Sequence, residues 1–223
     1  DVSFGVHTPA TGQWGLRMQA GQRWLACGDI NLVAEERVPL AGTHNLANAL
    51  AALALVAPGD LPQRPAQQMQ LRAGVESFVG LPHRCVNVAT RGGVRFVNDS
   101  KATNVGATLA ALAGLGRNDR RNVVLIAGGE GKGADFAPLR PAVGRHVKAV
   151  VLIGRDAPRL AEVLHDLAPL ERASDMRDAV RRAAALAACG DTVLLAPACA
   201  SLDMFANYAA RGDAFAAAVE QLA

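Results

Sequence analysis

No charge of one sign dominates this 223-residue sequence: 23 Lys and Arg face 20 Asp and Glu, a formal net charge of +3. That balance is too mild to mark a nucleic-acid-binding or membrane-surface protein, and neither partner is expected. No long apolar run occurs. The longest, Ala49 to Ala57, falls well short of the roughly 18 residues a membrane-spanning helix needs. Glycine and proline, at 22 and 11 residues, are too few for collagen or a disordered tract. The four cysteines, Cys27, Cys85, Cys189 and Cys199, form no Cys-x-x-Cys pair. Their spacing argues against a disulfide framework or a zinc knuckle and for reduced thiols in a cytosol. No basic-then-apolar signal segment opens the chain. Asp1 is not a methionine, and the first six residues read as the middle of a strand, so an amino-terminally truncated piece is expected.

What is present is a large apolar fraction, 51%, enough to bury a sizeable core, and a change of pattern near residue 80. Before it, short strand-like pieces (Ser3–His7, Trp14–Ala20, Gln22–Cys27, Ile30–Val38) are split by glycine turns. Gly42–Asn48 then runs into an Ala- and Leu-rich helix ending at Val56, stopped by the Pro58–Pro62 segment. A second helix fits Pro65 to Phe78. Gly80–Arg84 reads as a hinge. After it, strands at Cys85–Thr90, Val94–Asn98, Asn122–Ala127, Ala149–Ile153 and Thr192–Ala196 alternate with helices at Val105–Leu115, Asp135–Val143, Ala157–Leu167, Met176–Ala188 and Leu202–Leu222, the last broken near Gly212. This alternation predicts an α/β fold: a parallel sheet with helices on both faces.

In open parallel sheets, ligands bind outside the carboxyl ends of the strands. Four polar clusters follow strands here: Asn98–Asn104, Gly128–Gly133, Gly154–Asp156 and Pro197–Asp203. Four on one rim predict a binding site. Lys101 and Lys132 supply point charges, and Arg155 a fork, for carboxylates or phosphates. Ser100, Thr103 and Ser201 fall at expected helix starts, where hydroxyls and free N–H groups hold anions. Asp99 and Glu130 suit ribose hydroxyls or a metal-bound water. The same residues have plainer readings: Asp99, Ser100 and Ser201 as helix caps, Lys132 as a solvated loop charge. Cys199 precedes a helix start, a place that lowers a thiol pKa, but a packed, inert cysteine is the favoured reading. Several motifs fail. Gly128–Gly133 lacks the Walker A spacing, no Gly-x-Gly-x-x-Gly follows a strand, the five histidines have no metal-ligand spacing, and Ser201 lacks a nucleophile-elbow motif.

Taken together, Asn98–Asn104, Gly128–Lys132 with Ala134–Phe136, and Pro197–Asp203 with Arg211–Asp213 resemble the Mur ligases. Gly42–Asn48 and Leu81–Arg84 fit the same family, so the resemblance runs from about Leu40 to the end of the chain. The resemblance implies a Rossmann-like carboxy-terminal ligase domain over residues 81–223, preceded over residues 1–80 by the tail of a central ATPase domain. It implies ATP-driven amide synthesis through an acyl phosphate in peptidoglycan synthesis, with D-glutamate and UDP-N-acetylmuramoyl-L-alanine as partners. ATP and Mg²⁺ are the implied cofactors, and a cytoplasmic monomer the implied form. Residue by residue, Asn45 and Asn48 are implied to contact adenine, Arg84 the ATP phosphates and Asp99 the ribose. Thr103, Lys132, Ser201 and Leu202 are implied to hold glutamate. Lys101 is implied to support phosphate or substrate charge, so Lys101 and Lys132 are the catalytic candidates. Tyr208 stands where an aromatic, expected to be Phe, packs over the glutamate.

No residue here is expected to ligate the metal. The family's P-loop, carbamylated lysine, main magnesium ligands and UDP-sugar site have no counterpart in the sequence and are expected upstream of Asp1. The chain alone is therefore expected to show no ligase turnover. Two other readings remain open: a non-catalytic Rossmann-like module that binds an acidic amino acid or nucleotide, and a folylpolyglutamate-synthase-like ligase.

Overall fold

The computed structural model describes residues 3–40, 42–58 and 65–222. The chain divides into two compact units, Asp1–Gly80 and Leu81–Ala223. In the first, strands β1 (Trp14–Gln19), β2 (Gln22–Cys27) and β3 (Ile30–Ala34) form an antiparallel sheet in sequential order. Helix α1 (Thr43–Val56) covers it, and α2 (Pro65–Ser77) follows. Leu46, Leu50, Leu53, Ala54 and Ala57 recur at helical spacing and pack on Trp14, Leu16, Leu25 and Leu32. The indole of Trp14 donates to the Ala57 carbonyl at 2.9 Å, tying the sheet to the end of the helix. The Ser3–His7 strand is not formed. Phe4 makes one isolated bridge to Trp14. The strand expected over Ile30–Val38 ends at Ala34, where Glu35–Arg37 turns into a 3-10 helix pinned by the Arg23–Glu35 ion pair. The expected stop at Gly59–Pro62 lies outside the described residues.

The second unit is a six-stranded sheet in the order β4-β5-β9-β6-β7-β8. Its strands are β4 (Val86–Arg91), β5 (Val94–Asn98), β6 (Val123–Gly128), β7 (Val147–Ile153), β8 (Leu170–Arg172) and β9 (Thr192–Leu195). Helices α3 (Val105–Leu115), α4 (Arg140–His146), α5 (Ala157–Leu164), α6 (Met176–Leu186) and α7 (Tyr208–Glu220) connect or follow them. Strand side chains alternate between two cores. Val97, Leu125, Leu152 and Leu194 face α3, α4 and α5 through Leu112, Val143 and Leu160. Phe96, Ile126, Val151 and Leu195 face α6 and α7 through Val180 and Phe215. Helices therefore cover both faces.

Four expectations are corrected. The sheet is mixed rather than wholly parallel: β4 runs antiparallel to β5, because Gly92 and Gly93, both at positive φ, close a two-residue hairpin between them. The helix expected from Leu202 begins at Tyr208, where the Asn207 side chain caps it by accepting from the Ala210 N–H at 2.9 Å. That helix does not break at Gly212. A side chain there would strike the His83 ring, and Gly212 instead lets Asn98 Nδ2 reach its carbonyl at 2.9 Å. The helix expected over Asp135–Val143 starts as a 3-10 turn at Ala137–Leu139 and continues as α4.

Asp191 lies at the amino-terminal edge of β9. Its fully buried carboxylate accepts from Arg120 at 2.7 Å, Lys148 at 2.9 Å and the Ala188 N–H at 2.9 Å. Burial pushes this carboxyl up, but the three donors outweigh it and hold it below the usual range. Its contribution to stability is therefore full above about pH 4 and is lost as pH falls through the depressed native value. Asp191→Asn is expected to cost about 2 kcal/mol at pH 7. Urea midpoints taken from pH 7 down to pH 2 check this: the gap between the two proteins should close towards acid.

Candidate functional site

The loops after β5, β9, β6 and β7 meet at the carboxyl ends of the strands. β9 lies between β5 and β6 in the sheet, so its loop is the natural seam, and backbone bonds stitch it on both sides. The Ala198 N–H donates to the Ala102 carbonyl at 3.0 Å, and the Gly128 N–H to the Pro197 carbonyl at 2.9 Å. Glu130 and Ala200 exchange bonds at 3.0 and 2.9 Å. On the far side, the Asp156 N–H donates to the Gly129 carbonyl at 3.0 Å, and Asp156 Oδ2 accepts from the Gly131 N–H at 2.6 Å. Gly128 and Gly129 sit at φ 123 and 126. A Cβ at Gly129 would lie 2.2 Å from the Ala200 carbonyl, so glycine is what permits this close approach.

Arg211 locks the rim from within. It is 1% exposed. Its guanidinium donates to Ser100 Oγ (3.0 Å), the Ser100 carbonyl (2.9 Å) and the carbonyls of Cys199 (3.1 Å) and Ala200 (3.2 Å). Burial pushes its pKa down to about 10, leaving it cationic at neutral pH. The loop after β5 and the loop after β9 are thus clasped by one charge. The sequence motif that contains Arg211 implies no role for it. Its signal was a lone arginine beside glycine in an alanine-rich helix.

Thr103 adjoins the Ala102–Ala198 bond, Ser201 adjoins the Glu130–Ala200 bridge, and Lys132 lies two residues beyond that bridge, so all three sit on loops of one rim. Ser201 is buried, while Leu202 and Lys132 are exposed. Lys132 adopts φ +49 and Ala198 φ +58, left-handed positions that cost a non-glycine residue about 1–3 kcal/mol each. The half-buried Lys101 places its ammonium 4.1 Å from the Tyr208 ring centroid. Asp99 is nearly buried, and its Oδ1 accepts from the Cys85 N–H at 3.2 Å, anchoring the turn that carries the exposed Arg84. Asn45 and Asn48 lie in the first turns of α1, three residues apart and so on one helix face.

Ser100 departs from its expected place among the anion-holding hydroxyls. It is fully buried, and its Oγ donates to the Tyr208 carbonyl at 2.7 Å while accepting from Arg211. Neither Asp99 nor Ser100 caps α3. Asn104 does, accepting from the Ala107 N–H at 2.9 Å. Arg155 pairs with Glu130 at 3.1 Å. Beside them a cavity of about 430 Å³ opens, bordered by Arg155, Arg172, Ser174 and Asp203. Among the described residues, no three His, Cys, Asp or Glu side chains gather to hold a metal. No described helix is long and apolar enough to cross a membrane.

The thiols follow burial. Cys85 and Cys199 are pushed up to about 12, mainly by burial, with Asp99 and Asp156 respectively adding to the shift. Cys199 is therefore an inert packed residue, not an activated one. Of the four cysteines only Cys189 is exposed. Iodoacetamide at pH 8 is expected to label Cys189 in the folded chain and all four after denaturation, as read by mass spectrometry.

The sequence model described as "Mur ligase, glutamate ligase domain" matches residues 83–199, more than half of the chain. The chain belongs to the Mur ligase family. Curated Mur ligases extend the match across the first unit. A UDP-N-acetylmuramoylalanine–D-glutamate ligase of Pseudomonas syringae pv. syringae is 50% identical over 220 residues, covering 99% of this chain and 48% of the relative. The protein of that name from Aromatoleum aromaticum is 54% identical over 226 residues, covering 99% and 46%. The chain thus spans about half the length of the curated relatives it matches. Among solved structures, a UDP-N-acetylmuramate-alanine ligase of Thermotoga maritima matches with a TM-score of 0.64 at 16% identity, over 99% of this chain and 48% of that one. A bifunctional folylpolyglutamate synthase/dihydrofolate synthase of Yersinia pestis, complexed with AMPPNP and Mn ion, matches with a TM-score of 0.63 at 23% identity, over 92% and 45%. At these identities the structural likeness is one of fold.

Proposed function

We propose that this Mur ligase chain supplies the glutamate-gripping surface, and part of the nucleotide surface, of an ATP-dependent amide ligase that adds D-glutamate to UDP-N-acetylmuramoyl-L-alanine. One observation carries the reading: the loops bearing Lys101 with Thr103, Lys132, and Ser201 with Leu202 are bonded to one another along a single rim. On this reading residues 1–80 are the tail of a central ATP-binding domain, and residues 81–223 the glutamate-binding domain. The enzyme acts as a cytoplasmic monomer in cell-wall synthesis.

The chemistry suits such a rim. A carboxylate oxygen of the acceptor attacks the γ-phosphorus of ATP, ADP departs, and an acyl phosphate forms. The glutamate amine then attacks the acyl carbon, and phosphate leaves with its oxygen. Both steps gather negative charge, so positioning and cationic side chains do most of the work. Lys132, Thr103, Ser201 and Leu202 hold the incoming glutamate. Lys101 faces the transferring phosphate. Arg84 meets the ATP phosphates, Asp99 the ribose, and Asn45 with Asn48 the adenine.

The 223-residue chain alone is expected to release no ADP from ATP, UDP-N-acetylmuramoyl-L-alanine and D-glutamate. A protein extended to the relatives' length is expected to release it only when glutamate is present, and more with the D than the L enantiomer. An extended protein whose ADP release ignores glutamate overturns the reading.

A further inference from the structure

The chain has 23 cationic Lys and Arg side chains and a single tyrosine. Only three of those cations are lysines: Lys101, Lys132 and Lys148. Lys148 pairs with Asp191 on the opposite edge of the sheet, which leaves two lysines for the rim. The one tyrosine meets one of them. Lys101 Nζ stands 4.1 Å from the centroid of Tyr208, well within the range of cation–π attraction.

Neighbouring residues brace this contact. Ser100, next to Lys101, donates through Oγ to the Tyr208 carbonyl at 2.7 Å. Arg211, three residues beyond Tyr208 in α7, grips Ser100 by side chain and backbone. The Lys101 N–H donates to the His83 carbonyl at 3.0 Å. The His83 ring meets Tyr208 edge-on, with centroids 6.2 Å apart and planes at 77°. Nδ1 of that ring lies 3.2 Å from Asn98 Nδ2, and its Nε2 lies 3.7 Å from Asp213 Oδ1. The backbones of residues 101 and 208 are thus fixed to each other, and the ring is braced from behind. A flexible lysine stem would otherwise leave the ammonium free to wander over the rim.

We propose that Tyr208 is a positioning residue that acts through Lys101: its ring face holds the ammonium in place for the phosphate, so its principal role is to aim a cation rather than to pack against the amino acid. This rests on the ligase reading of the rim. The phenol oxygen is not needed for the role; the π-face is. A phenylalanine would serve as well, and an aliphatic side chain of similar bulk would not.

Two measurements test this. In the 223-residue chain carrying ¹³C-labelled lysine, three ε-methylene signals are expected, and that of Lys101 should be shifted upfield by the ring current. Tyr208→Leu and Tyr208→Met should abolish the shift, and Tyr208→Phe should restore it. In the protein extended to its relatives' length, Tyr208→Leu is expected to lower kcat about two- to fivefold, the scale of one partly solvated cation–π contact. The KM for glutamate should change less, and Tyr208→Phe should recover most of the loss. In a Lys101→Met background, Tyr208→Leu should have little further effect. Equal losses in both backgrounds, or a loss confined to the KM for glutamate, would overturn the proposal, as would an unshifted Lys101 signal. If the extended protein shows no glutamate-dependent turnover while the ring-current shift is present, the ligase reading fails and the contact stands without its role.

Discussion

Arg211→Ala is expected to cost about 4 kcal/mol of stability. The side chain is fully buried and donates to one hydroxyl and three carbonyls. Deleting it leaves Ser100 Oγ and the Ser100 and Cys199 carbonyls without this donor, while the Ala200 carbonyl keeps the Glu130 N–H, and it opens a cavity. Stranding buried polar groups costs about 1–3 kcal/mol each before any relaxation, and water entering the gap recovers part of that. Arg211→Lys should recover little, because one ammonium cannot span Ser100, Cys199 and Ala200 in the guanidinium's planar fork. Urea unfolding of the two variants checks this. A loss below 1 kcal/mol for the alanine variant would mean that the rim holds together without its central cation. Hydrogen exchange should locate the damage: the Ala198 amide, bonded across the seam to Ala102, should exchange faster, and the Thr192 amide, at the opposite edge, should not.

Lys132→Ala is expected to weaken D-glutamate binding by about 1.5–3 kcal/mol, the worth of a hydrogen bond to a charged group, with no loss of stability. The lysine is exposed and in a left-handed conformation. Alanine in its place removes a charge and inherits the backbone strain, so the fold has little to lose. Calorimetric titration of the two proteins separates these effects. Unchanged glutamate affinity would remove Lys132 from the site and leave it a solvated loop charge.

Much of this architecture was legible in the sequence because the signals were local. Val123–Gly128 is a continuous apolar run, the mark of a strand covered on both faces, and each polar cluster begins where an apolar run stops. The features that were misread depend on partners far along the chain. Gly212 looks like a helix breaker until His83, more than a hundred residues earlier, fills the space a side chain would take. Ser100 looks like an anion-holding hydroxyl until α7 brings Arg211 and the Tyr208 carbonyl to it. The three-residue β8 is too short and too half-buried to leave a periodic trace. The Gly92–Gly93 turn between two apolar runs, by contrast, was a readable hairpin signal, and it alone accounts for the antiparallel edge strand.

The rim residues divide along the same line. Thr103, Lys132, Ser201 and Leu202 are candidates named from motifs. The reason they share one edge is the seam of backbone bonds made by β9, the last strand in sequence, inserted between β5 and β6. No short-range pattern reveals an insertion of that kind, because β9 pairs with two strands that lie far from it in sequence.

The most direct test of a shared amino-acid site on this rim is a titration of the ¹⁵N-labelled chain with D-glutamate, followed by amide chemical shifts. Saturable shifts at Thr103, Lys132, Ser201 and Leu202, with Arg120, Lys148 and Asp191 at the opposite edge unmoved, are the expected outcome. Shifts at that opposite edge, or none at the four rim residues at saturating glutamate, would contradict it.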